Sequence, residues 1–356
     1  MPNMHQIAAR AKVSLGTVSH VLNDSAKVRE PLRKRVLDAV AALGYQPSEL
    51  ARGLRRKKTS MIGMIIPDVT NPFFPAVVRG AEDVAFANGY RLVLCDTDND
   101  PAKETVFLNE LRGYRPAGLI VIPSSFGDLA AQVDGYRKAG TAIICVDRTP
   151  RRWDGDSVTV ANEAGAYAAT RHLIELGHTR IATIAGPLRL INAKQRLSGY
   201  KRAMRDAGLI ESHGYIQEAT FDKAGGYAKA NVLLHLVPRP TAIFAANDMI
   251  ALGVLQALRG AGLQCPGDMS LIGFDDLELA EMIDPQLSSV SQPGYRLGAS
   301  AASLLLERVN NPSGRAQRVV LETELKIRAS VAAISNGVKP SFAKQNRVRN
   351  SAITAR

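Results

Sequence analysis

From Met61 onward, short apolar runs alternate with amphipathic stretches, and this alternation restricts the fold more than any other feature of the chain. The predicted strands are Met61–Ile66, Arg91–Cys95, Gly118–Ile122, Ala142–Val146, Val158–Val160, Ile181–Ile184, Ala242–Ala245 and Ser270–Gly273. The predicted helices are Pro75–Ala87, Lys103–Leu111, Glu163–Leu176, Arg196–Ala207, Lys223–Leu236, Met249–Arg259 and Tyr295–Arg308. Strands joined through helices are parallel, because only a crossover can connect parallel neighbours. The strands are too many for one compact unit, so we predict two α/β lobes that divide near Ala161 and face each other across a cleft.

Three apolar stripes at helical spacing precede these lobes. Their members are Met4, Ile7, Ala8 and Ala11, then Val18, Val21 and Leu22, and finally Val36, Leu37, Val40 and Leu43. Asn3 and Ser14 can cap the first two helices, and only Lys12 to Ser14 separate them. The pattern predicts a helix-turn-helix closed by a third helix from Pro31 to Leu43.

One end of the second helix carries the side chains that such a motif presents to DNA. Leu15, Gly16, Thr17, Ser19 and His20 fall away from the buried stripe, at the end that meets base edges in the major groove. The alternative is a three-helix module that docks a protein and binds no nucleic acid.

The charge distribution favours DNA. Residues 1–60 carry 12 Lys and Arg against 4 Asp and Glu, and residues 336–356 carry 5 basic residues and no acidic ones. The net charge of the whole chain is +12, so the body between these ends is close to neutral. A basic head on a neutral body is typical of a protein that binds a polyanion, and DNA phosphates are the polyanion that fits a helix-turn-helix.

The segment after the third helix reads as a short connector. Pro47 stops the preceding helix, Ser48 can cap a new helix of about two turns, and Gly53 weakens that helix. Helices this short are marginal in water. We therefore expect the connector to become helical only on DNA, the alternative being a plain basic linker.

These observations divide the chain into four parts. The predicted parts are a helix-turn-helix domain at 1–46, a connector at 47–60, a two-lobe body at 61–335, and a basic tail at 336–356 that we expect to be disordered. Lobe 1 takes about 61–161 and 291–321, and lobe 2 takes about 162–290 and 322–335.

Polar and aromatic residues follow the predicted strands, where ligands bind in parallel sheets. They occur in Asp68 to Phe74, Ser124, Asp147-Arg148, Asn192 with Arg196, Asn247-Asp248, and Phe274-Asp275-Asp276. A ring with several hydroxyl groups needs donors, acceptors and an aromatic surface for its C–H faces. Each residue alone could instead cap a helix or anchor a loop.

Other classes of protein are disfavoured. No apolar run reaches the roughly 18 residues of a membrane span, and the first residues do not resemble a secretion signal, so we expect a cytoplasmic protein. Cys95, Cys145 and Cys265 lie far apart without a CxxC pair, which predicts buried thiols and no metal site. No motif for a cofactor is present.

The same residues resemble a known family. The head motifs are Ile7-Ala8, Val13-Ser14, Gly16-Thr17-Val18-Ser19, Val21-Leu22-Asn23, Gly44-Tyr45-Gln46-Pro47-Ser48, Ala51-Arg52 and Leu54. The body motifs are Asn71-Pro72-Phe73-Phe74, Val146-Asp147-Arg148, Leu176-Gly177-His178, Arg196-Leu197-Ser198-Gly199-Tyr200, Asn247-Asp248 and Gly273-Phe274-Asp275-Asp276. From Asn3 to about Ser330 the chain resembles the LacI/GalR family of bacterial transcription regulators. The resemblance implies an all-α helix-turn-helix head and an α/β body like the periplasmic sugar-binding proteins, which dimerises so that two heads bind a palindromic double-stranded operator.

The resemblance also implies roles for individual residues. Leu15, Gly16 and His20 would read bases, whereas Ser14, Thr17, Ser19, Asn23 and Tyr45 would lie near phosphates. Leu54 would wedge into the minor groove of the operator, with Arg55 beside it. The effector set would be Phe73, Phe74, Ser124, Asp147, Asn192, Arg196, Phe221, Asn247 and Asp275. Leu190 and Ile191 depart from the polar or aromatic residues common in relatives, which leaves a sugar, a polyol or a nucleoside as the effector.

The leading hypothesis is a repressor that a sugar-like effector releases from DNA. A regulator that needs its ligand as a co-repressor is the alternative within the same class. An enzyme on the two-lobe scaffold would need a catalytic constellation, and no Ser/His/Asp order, HExxH motif or phosphate-binding loop is present. A sugar-binding protein for transport would need an export signal and would not need the basic head.

Overall fold

The structure is a computed structural model that describes residues 2–22, 28–45, 59–124, 129–150 and 152–334. Its helices are α1 (Met4–Ala11), α2 (Leu15–Leu22), α3 (Glu30–Leu43), α4 (Phe73–Ala87), α5 (Pro101–Gly113), α6 (Leu129–Lys138), α7 (Asn162–Glu175), α8 (Ile191–Asp206), α9 (Lys223–Leu234), α10 (Asp248–Gly260), α11 (Leu279–Met282) and α12 (Gly294–Asn310). Its strands are β1 (Met61–Ile66), β2 (Arg91–Asp96), β3 (Gly118–Val121), β4 (Ala142–Val146), β5 (Asp156–Val160), β6 (Ile181–Ala185), β7 (Ile216–Glu218), β8 (Ala242–Ala245), β9 (Ser270–Asp275), β10 (Ser288–Ser291), β11 (Arg318–Leu321) and β12 (Glu324–Lys326).

The head is the predicted three-helix unit. Asn3 and Gln6 form a reciprocal capping box at the start of α1, and the hydroxyl of Ser14 accepts from the backbone N–H of Thr17 at 3.1 Å to cap α2. The core of the head consists of Ile7, Ala11, Val18, Val21, Val36 and Ala39.

One predicted core residue of the head is wrong. Leu37 is 47% exposed, and Ala39 takes the buried position instead. Val36, Ala39, Val40 and Leu43 keep the three- and four-residue spacing of one helix face, whereas Leu37 lies one residue, or about 100°, away from it.

The body contains two six-stranded sheets, each in its own unit. The first sheet has the order β11-β5-β4-β3-β1-β2, and all of its pairings are parallel. The second has the order β12-β10-β9-β8-β6-β7, with only β12 antiparallel to its neighbour. The predicted fold class, a helical head followed by an α/β body with two sheets, is confirmed.

Every predicted strand and helix of the body overlaps an observed one, but several elements were missed. The missed elements are β7, β10, β11, β12, α6 and α11. Three of the four strands, β7, β11 and β12, are edge strands in their sheets. None of these three strands has a fully buried residue, so they lack the continuous apolar run that marks a central strand. The fourth, β10, reads Ser-Ser-Val-Ser and is polar although three of its residues are buried.

The two units are discontinuous in sequence. The first comprises Met1–Ala161, Leu188–Lys194 and Gln292–Thr323, and the second comprises Asn162–Pro187, Gln195–Ser291 and Glu324–Arg356. The sequence assigned Leu188–Lys194 to lobe 2, whereas the structure groups this segment with the first unit. Among the described residues, no helix combines the length and the apolar character needed to cross a bilayer.

The first unit depends on a close helix–helix contact. A side-chain carbon at Gly80 of α4 would lie 2.0 Å from the carbonyl oxygen of Tyr295, and one at Gly298 of α12 would lie 1.8 Å from that of Val77. These two positions therefore require glycine, because any larger residue would push the helices apart.

A buried histidine joins three segments of the second unit. The Nδ1 atom of His178 lies 2.9 Å from the hydroxyl of Thr241, and Nε2 lies 3.1 Å from both the hydroxyl of Ser270 and the carbonyl oxygen of Ala332. Burial lowers the pKa of His178 below its ordinary value, although its hydrogen bond to Ala332 acts in the opposite direction. Since the unfolded chain takes up this proton at higher pH than the folded chain does, His178 makes folding less favourable as the pH falls below about 6.5.

We predict that His178→Gln weakens the pH dependence of stability. The free energy of unfolding of the parent should decrease between pH 7.5 and pH 5.5, with a His178 contribution of at most about 1.4 kcal/mol per pH unit below pH 6.5. Urea unfolding at both pH values measures the difference. The exposed His213 supplies the matched control, His213→Gln, which should keep the pH dependence of the parent. Equal pH dependence in the parent and in His178→Gln would contradict the assignment.

Candidate functional site

The outer face of α2 is accessible. Ser14, Leu15, Gly16 and His20 are exposed, and Thr17 and Ser19 are half-buried. The hydroxyls of Ser14 and Thr17 lie 2.9 Å apart at the start of the helix. The predicted DNA-reading side chains thus share a surface at the N-terminal half of α2, where a helix-turn-helix offers them to the major groove.

The end of the head carries a further predicted phosphate neighbour. Tyr45 is half-buried, and its backbone N–H donates to the carbonyl of Val40 just after the left-handed Gly44. Three other predicted DNA contacts, Asn23, Leu54 and Arg55, lie outside the described residues. The connector, except for its last two residues, and the whole basic tail lie outside them as well.

In the first unit, an acidic and an amide side chain form a direct pair. Asp147 follows β4 with a positive φ of 62°, and the amide nitrogen of Asn192 donates to its Oδ2 atom at 3.0 Å. The guanidinium of Arg148 lies 3.5 Å from the same oxygen. All three side chains are buried. Asn192 lies in the segment Leu188–Lys194, which belongs to the first unit.

Ser124 belongs to a second buried polar group of the first unit. Its hydroxyl lies 2.6 Å from that of Thr97, and its backbone N–H donates to Glu104 at 2.6 Å. The pKa of Glu104 lies above its ordinary value, because burial raises it by more than the hydrogen bonds from Ser124 and the charge of Arg148 lower it. The sequence did not single out Glu104, although an acidic residue inside a buried helix face was a usable signal.

Phe73 and Phe74 begin α4. Both are buried, and their ring centroids lie 5.3 Å apart in an edge-to-face arrangement. The buried side chain of Asn71 accepts from the backbone N–H of Phe73 at 3.1 Å, which fixes the start of the helix.

Arg196 is the centre of the site in the second unit. Its guanidinium donates to the side-chain oxygen of Asn162 at 2.8 Å and to the carbonyl of Ala246 at 2.6 Å, and it lies 3.5 Å from the carboxylate of Asp275. The guanidinium carbon also lies 3.9 Å from the centroid of the Phe274 ring. Since the side chain of Arg196 is only 3% exposed, these partners compensate for the loss of water. Asn162, which starts α7, was missed by the sequence reasoning.

Phe221 and Asn247 complete the predicted set of the second unit. The ring centroid of Phe221 lies 5.8 Å from the guanidinium of Arg196. Asn247 caps α10, because its side-chain oxygen accepts from the N–H of Ile250 at 2.9 Å, and its amide nitrogen lies 3.4 Å from the carbonyl of Phe221. The carboxyl ends of β8 and β9 therefore bring together Arg196, Phe221, Asn247 and Asp275. Asn247 also caps a helix, which is the alternative role that the sequence left open for strand-end residues.

A buried carboxyl group holds the turn that presents Asp275. Asp275 and the next residue, Asp276, adopt positive φ angles of 116° and 56°, which are strained for residues with side chains. Asp248 accepts from the N–H of Leu277 at 2.8 Å and from the hydroxyl of Ser289 at 2.6 Å, and that hydroxyl accepts from the N–H of Asp276 at 3.1 Å. Asp248 thus acts as a clamp on this turn. Burial, together with the charge of Asp275, raises the pKa of Asp248 well above its ordinary value.

Across the described ranges, no group of three or more His, Cys, Asp or Glu side chains is arranged to hold a metal ion. Cys145 is buried, and Cys95 and Cys265 are half-buried.

Two family patterns match the chain. Residues 3–48 match the bacterial regulatory proteins of the lacI family, and residues 170–331 match the periplasmic binding protein-like domain. The ribose operon repressor of Escherichia coli strain K12 is 39% identical over 332 residues, which cover 93% of this chain and all of that protein. The chain belongs to the LacI family. As a LacI-family protein, it is a DNA-binding transcriptional regulator, and its characterised relatives are repressors rather than enzymes.

Solved LacI-family structures share the fold. A regulator from Enterococcus faecium with bound ribose is 31% identical over 77% of this chain and all of that chain, with a TM-score of 0.70. The lac repressor dimer bound to operator and an anti-inducer is 25% identical over 93% of this chain and 99% of that chain, with a TM-score of 0.83.

We predict that Asp248→Ala destabilises the second unit by about 1–3 kcal/mol, because it leaves the buried N–H of Leu277 without an acceptor. Asp248→Asn should cost less, since an amide keeps one acceptor and can mimic a neutral carboxyl group. Urea unfolding of the two variants measures the free energies. The clamp would be contradicted if the alanine variant were as stable as the parent, or if both substitutions cost the same.

Proposed function

We propose that this LacI-family regulator is a repressor that binds a palindromic operator as a homodimer and is released by a sugar, with ribose as the first candidate. The name of the Escherichia coli relative and the ribose in the Enterococcus faecium structure support this choice.

The observation that carries the proposal is the environment of Arg196. Its guanidinium has a fixed direction because it donates to the side-chain oxygen of Asn162 and to the carbonyl of Ala246 and packs against the Phe274 ring. The carboxylate of Asp275 beside it offers acceptors. Sugar hydroxyls both donate and accept, so a rigid donor next to a rigid acceptor suits them.

The proposal keeps the whole effector set predicted from the sequence. In the first unit, the Asp147–Asn192 pair supplies another acceptor and amide, and Ser124 supplies a hydroxyl. Phe73, Phe74 and Phe221 supply apolar faces for the C–H groups of the ring. Asn247, whose side-chain oxygen is used in the cap of α10, would contribute through its amide nitrogen.

An effector acts on DNA binding only if it favours one arrangement of the protein over another. A preference of about 2–3 kcal/mol for the arrangement that cannot bind DNA lowers operator affinity roughly 30- to 150-fold. We assign the transmission of this preference to the connector at 47–60, with Leu54 as the minor-groove wedge and Arg55 as its basic neighbour.

Operator reading is assigned to the exposed face of α2. Leu15 and Gly16 have no side-chain hydrogen-bonding groups, so they would contact a thymine methyl group or let the backbone approach the bases. His20 remains as the main polar reader. Ser14, Thr17, Ser19, Asn23 and Tyr45 would position the head through phosphates.

Homodimerisation is assigned to the edge of the first sheet at β2. Val93 and Leu94 on this edge strand are 38% and 41% exposed, and Phe86 of the neighbouring α4 is 60% exposed. An exposed apolar edge strand favours pairing with a second chain. The proposal places the protein in the cytoplasm, with its operator, and uses the domain limits predicted from the sequence, except that Leu188–Lys194 belongs with the first unit.

We predict that Arg196→Lys abolishes release by ribose, because a compact ammonium group cannot reach acceptors that are spaced for the separate nitrogens of a planar guanidinium. Operator affinity without ribose should stay within about threefold of the parent, whereas the effect of ribose should fall from about 30-fold or more to less than about threefold. Fluorescence anisotropy with an operator selected by the parent from random duplexes measures both.

The matched control for this test is Arg202→Ala on the same helix, whose half-exposed side chain pairs with Glu163. It should respond to ribose as the parent does. A normal ribose response in Arg196→Lys would contradict the effector site, and a parent that binds DNA more tightly with ribose would support the co-repressor alternative instead.

We predict that His20→Ala lowers the preference for operator over random DNA by about 1–3 kcal/mol, or roughly 5- to 150-fold, since one base contact is lost. The slope of affinity against salt should change little. The exposed His5 of α1 gives the control variant His5→Ala, which should keep the preference of the parent. An unchanged preference in His20→Ala would contradict its role as a reader.

A further inference from the structure

The charges of the first unit are separated between the two ends of its sheet. Because all strands of this sheet are parallel, their amino ends lie along one edge and their carboxyl ends along the other. We define the amino edge as the last turns of α4, α5, α6 and α12, the loops that lead into the strands, and the first residues of the strands.

The amino edge is basic. Its basic side chains are Arg91, Arg112, Arg115, Arg137, Lys138, Arg152, Arg308, Arg315 and Arg318, and its acidic side chains are Glu110, Asp154, Asp156 and Glu307. The corresponding carboxyl edge is acidic among the described residues. There the acidic side chains are Asp68, Asp96, Asp98, Asp100, Glu104, Asp147 and Glu322, against the basic Lys103, Arg148, Arg189, Lys194 and Arg296.

Internal ion pairs neutralise only part of the amino edge. Arg308 binds Asp156, Arg137 binds Asp154 at 2.7 Å, and Lys138 binds Asp134 at 2.6 Å. Among the described residues, no salt bridge involves Arg91, Arg112, Arg115, Arg315 or Arg318, and all five are exposed. The edge therefore keeps a net positive charge in contact with solvent.

Stabilisation of helix ends explains only some of these residues. Basic side chains in the last turn of a helix interact favourably with its dipole, which accounts for Arg112, Arg137, Lys138 and Arg308. Arg91, Arg115, Arg315 and Arg318 lie in loops or at strand starts, so this explanation does not cover them.

The chain enters the first sheet at this same edge. The backbone N–H and the hydroxyl of Thr59 both donate to the carbonyl of Arg115, at 3.2 and 3.1 Å. Residues 46–58 link Thr59 to Tyr45 at the end of the head, so the amino edge stays within about 50 Å of that point even if the link is fully extended. A head bound to its operator thus keeps the basic edge tethered near duplex DNA.

We propose that the amino edge of the first unit is a second DNA-contacting surface, which binds phosphates of the duplex without reading sequence. This proposal relies on DNA binding by the head. Each neutralised phosphate releases counterions, so the edge should steepen the salt dependence of binding and raise the affinity for any duplex.

The test removes charges from the edge while the head stays intact. The triple variant Arg112→Gln, Arg115→Gln, Arg315→Gln loses three exposed cations that make no salt bridge, and the control Arg205→Gln, Lys223→Gln, Arg239→Gln loses three exposed cations of the second unit. Both variants have the same net charge. Thermal unfolding and gel filtration check that each keeps the stability and the oligomeric state of the parent.

Fluorescence anisotropy with a random-sequence duplex of about 40 base pairs, between 50 and 200 mM KCl, gives the slope of log affinity against log salt. For each protomer whose edge contacts the duplex, the edge variant should show a slope about two to three units shallower than the parent, with an affinity about tenfold or more lower at 50 mM, whereas the control should match the parent. A slope equal to that of the parent, or an equal change in the control, would overturn the proposal. A parent chain that binds no duplex would instead contradict DNA binding by the head, and this surface with it.

Discussion

The site in the second unit depends on the burial of one positive charge. The guanidinium of Arg196 is almost fully removed from water, and a buried charge is costly unless each donor finds an acceptor. Asn162, the carbonyl of Ala246 and Asp275 meet this requirement from three different segments. Because these partners come from the ends of separate elements, a single side chain fixes the relative positions of the loops around it.

The strained turn at Asp275 shows how the fold supports this arrangement. Two successive residues with positive φ angles would relax if nothing held them. Asp248 holds them through Leu277 and Ser289, so the acceptor next to Arg196 is fixed before any ligand arrives. A preorganised pair of this kind loses little freedom on binding, which favours selectivity for a small polar ligand. In a regulator, the same rigidity lets a small molecule bias a large change elsewhere.

The central strands and the head could be predicted from the sequence, whereas side-chain partnerships could not. Runs such as Met61–Ile66 and Ala142–Val146 are apolar throughout and cover the buried centre of the first sheet, so periodicity identifies them. The strand Ser288–Ser291 is polar and was missed, because its burial comes from hydrogen bonds that only the folded chain provides. The contact between Asp147 and Asn192 joins residues far apart in sequence, and no local pattern indicates it. Sequence reasoning therefore placed polar residues at strand ends without the contacts that orient them: it missed Asn162, and it named Asp248 without its hydrogen bonds to Leu277 and Ser289.

The central claim is that sugar binding and operator binding are energetically coupled, and reciprocity gives the most direct test of it. Calorimetry should measure the affinity of the parent chain for ribose twice, once for the free protein and once for the protein saturated with operator duplex. The account predicts that operator weakens ribose binding roughly 30- to 150-fold, by the same factor as ribose weakens operator binding. Equal ribose affinity in the two states would contradict it.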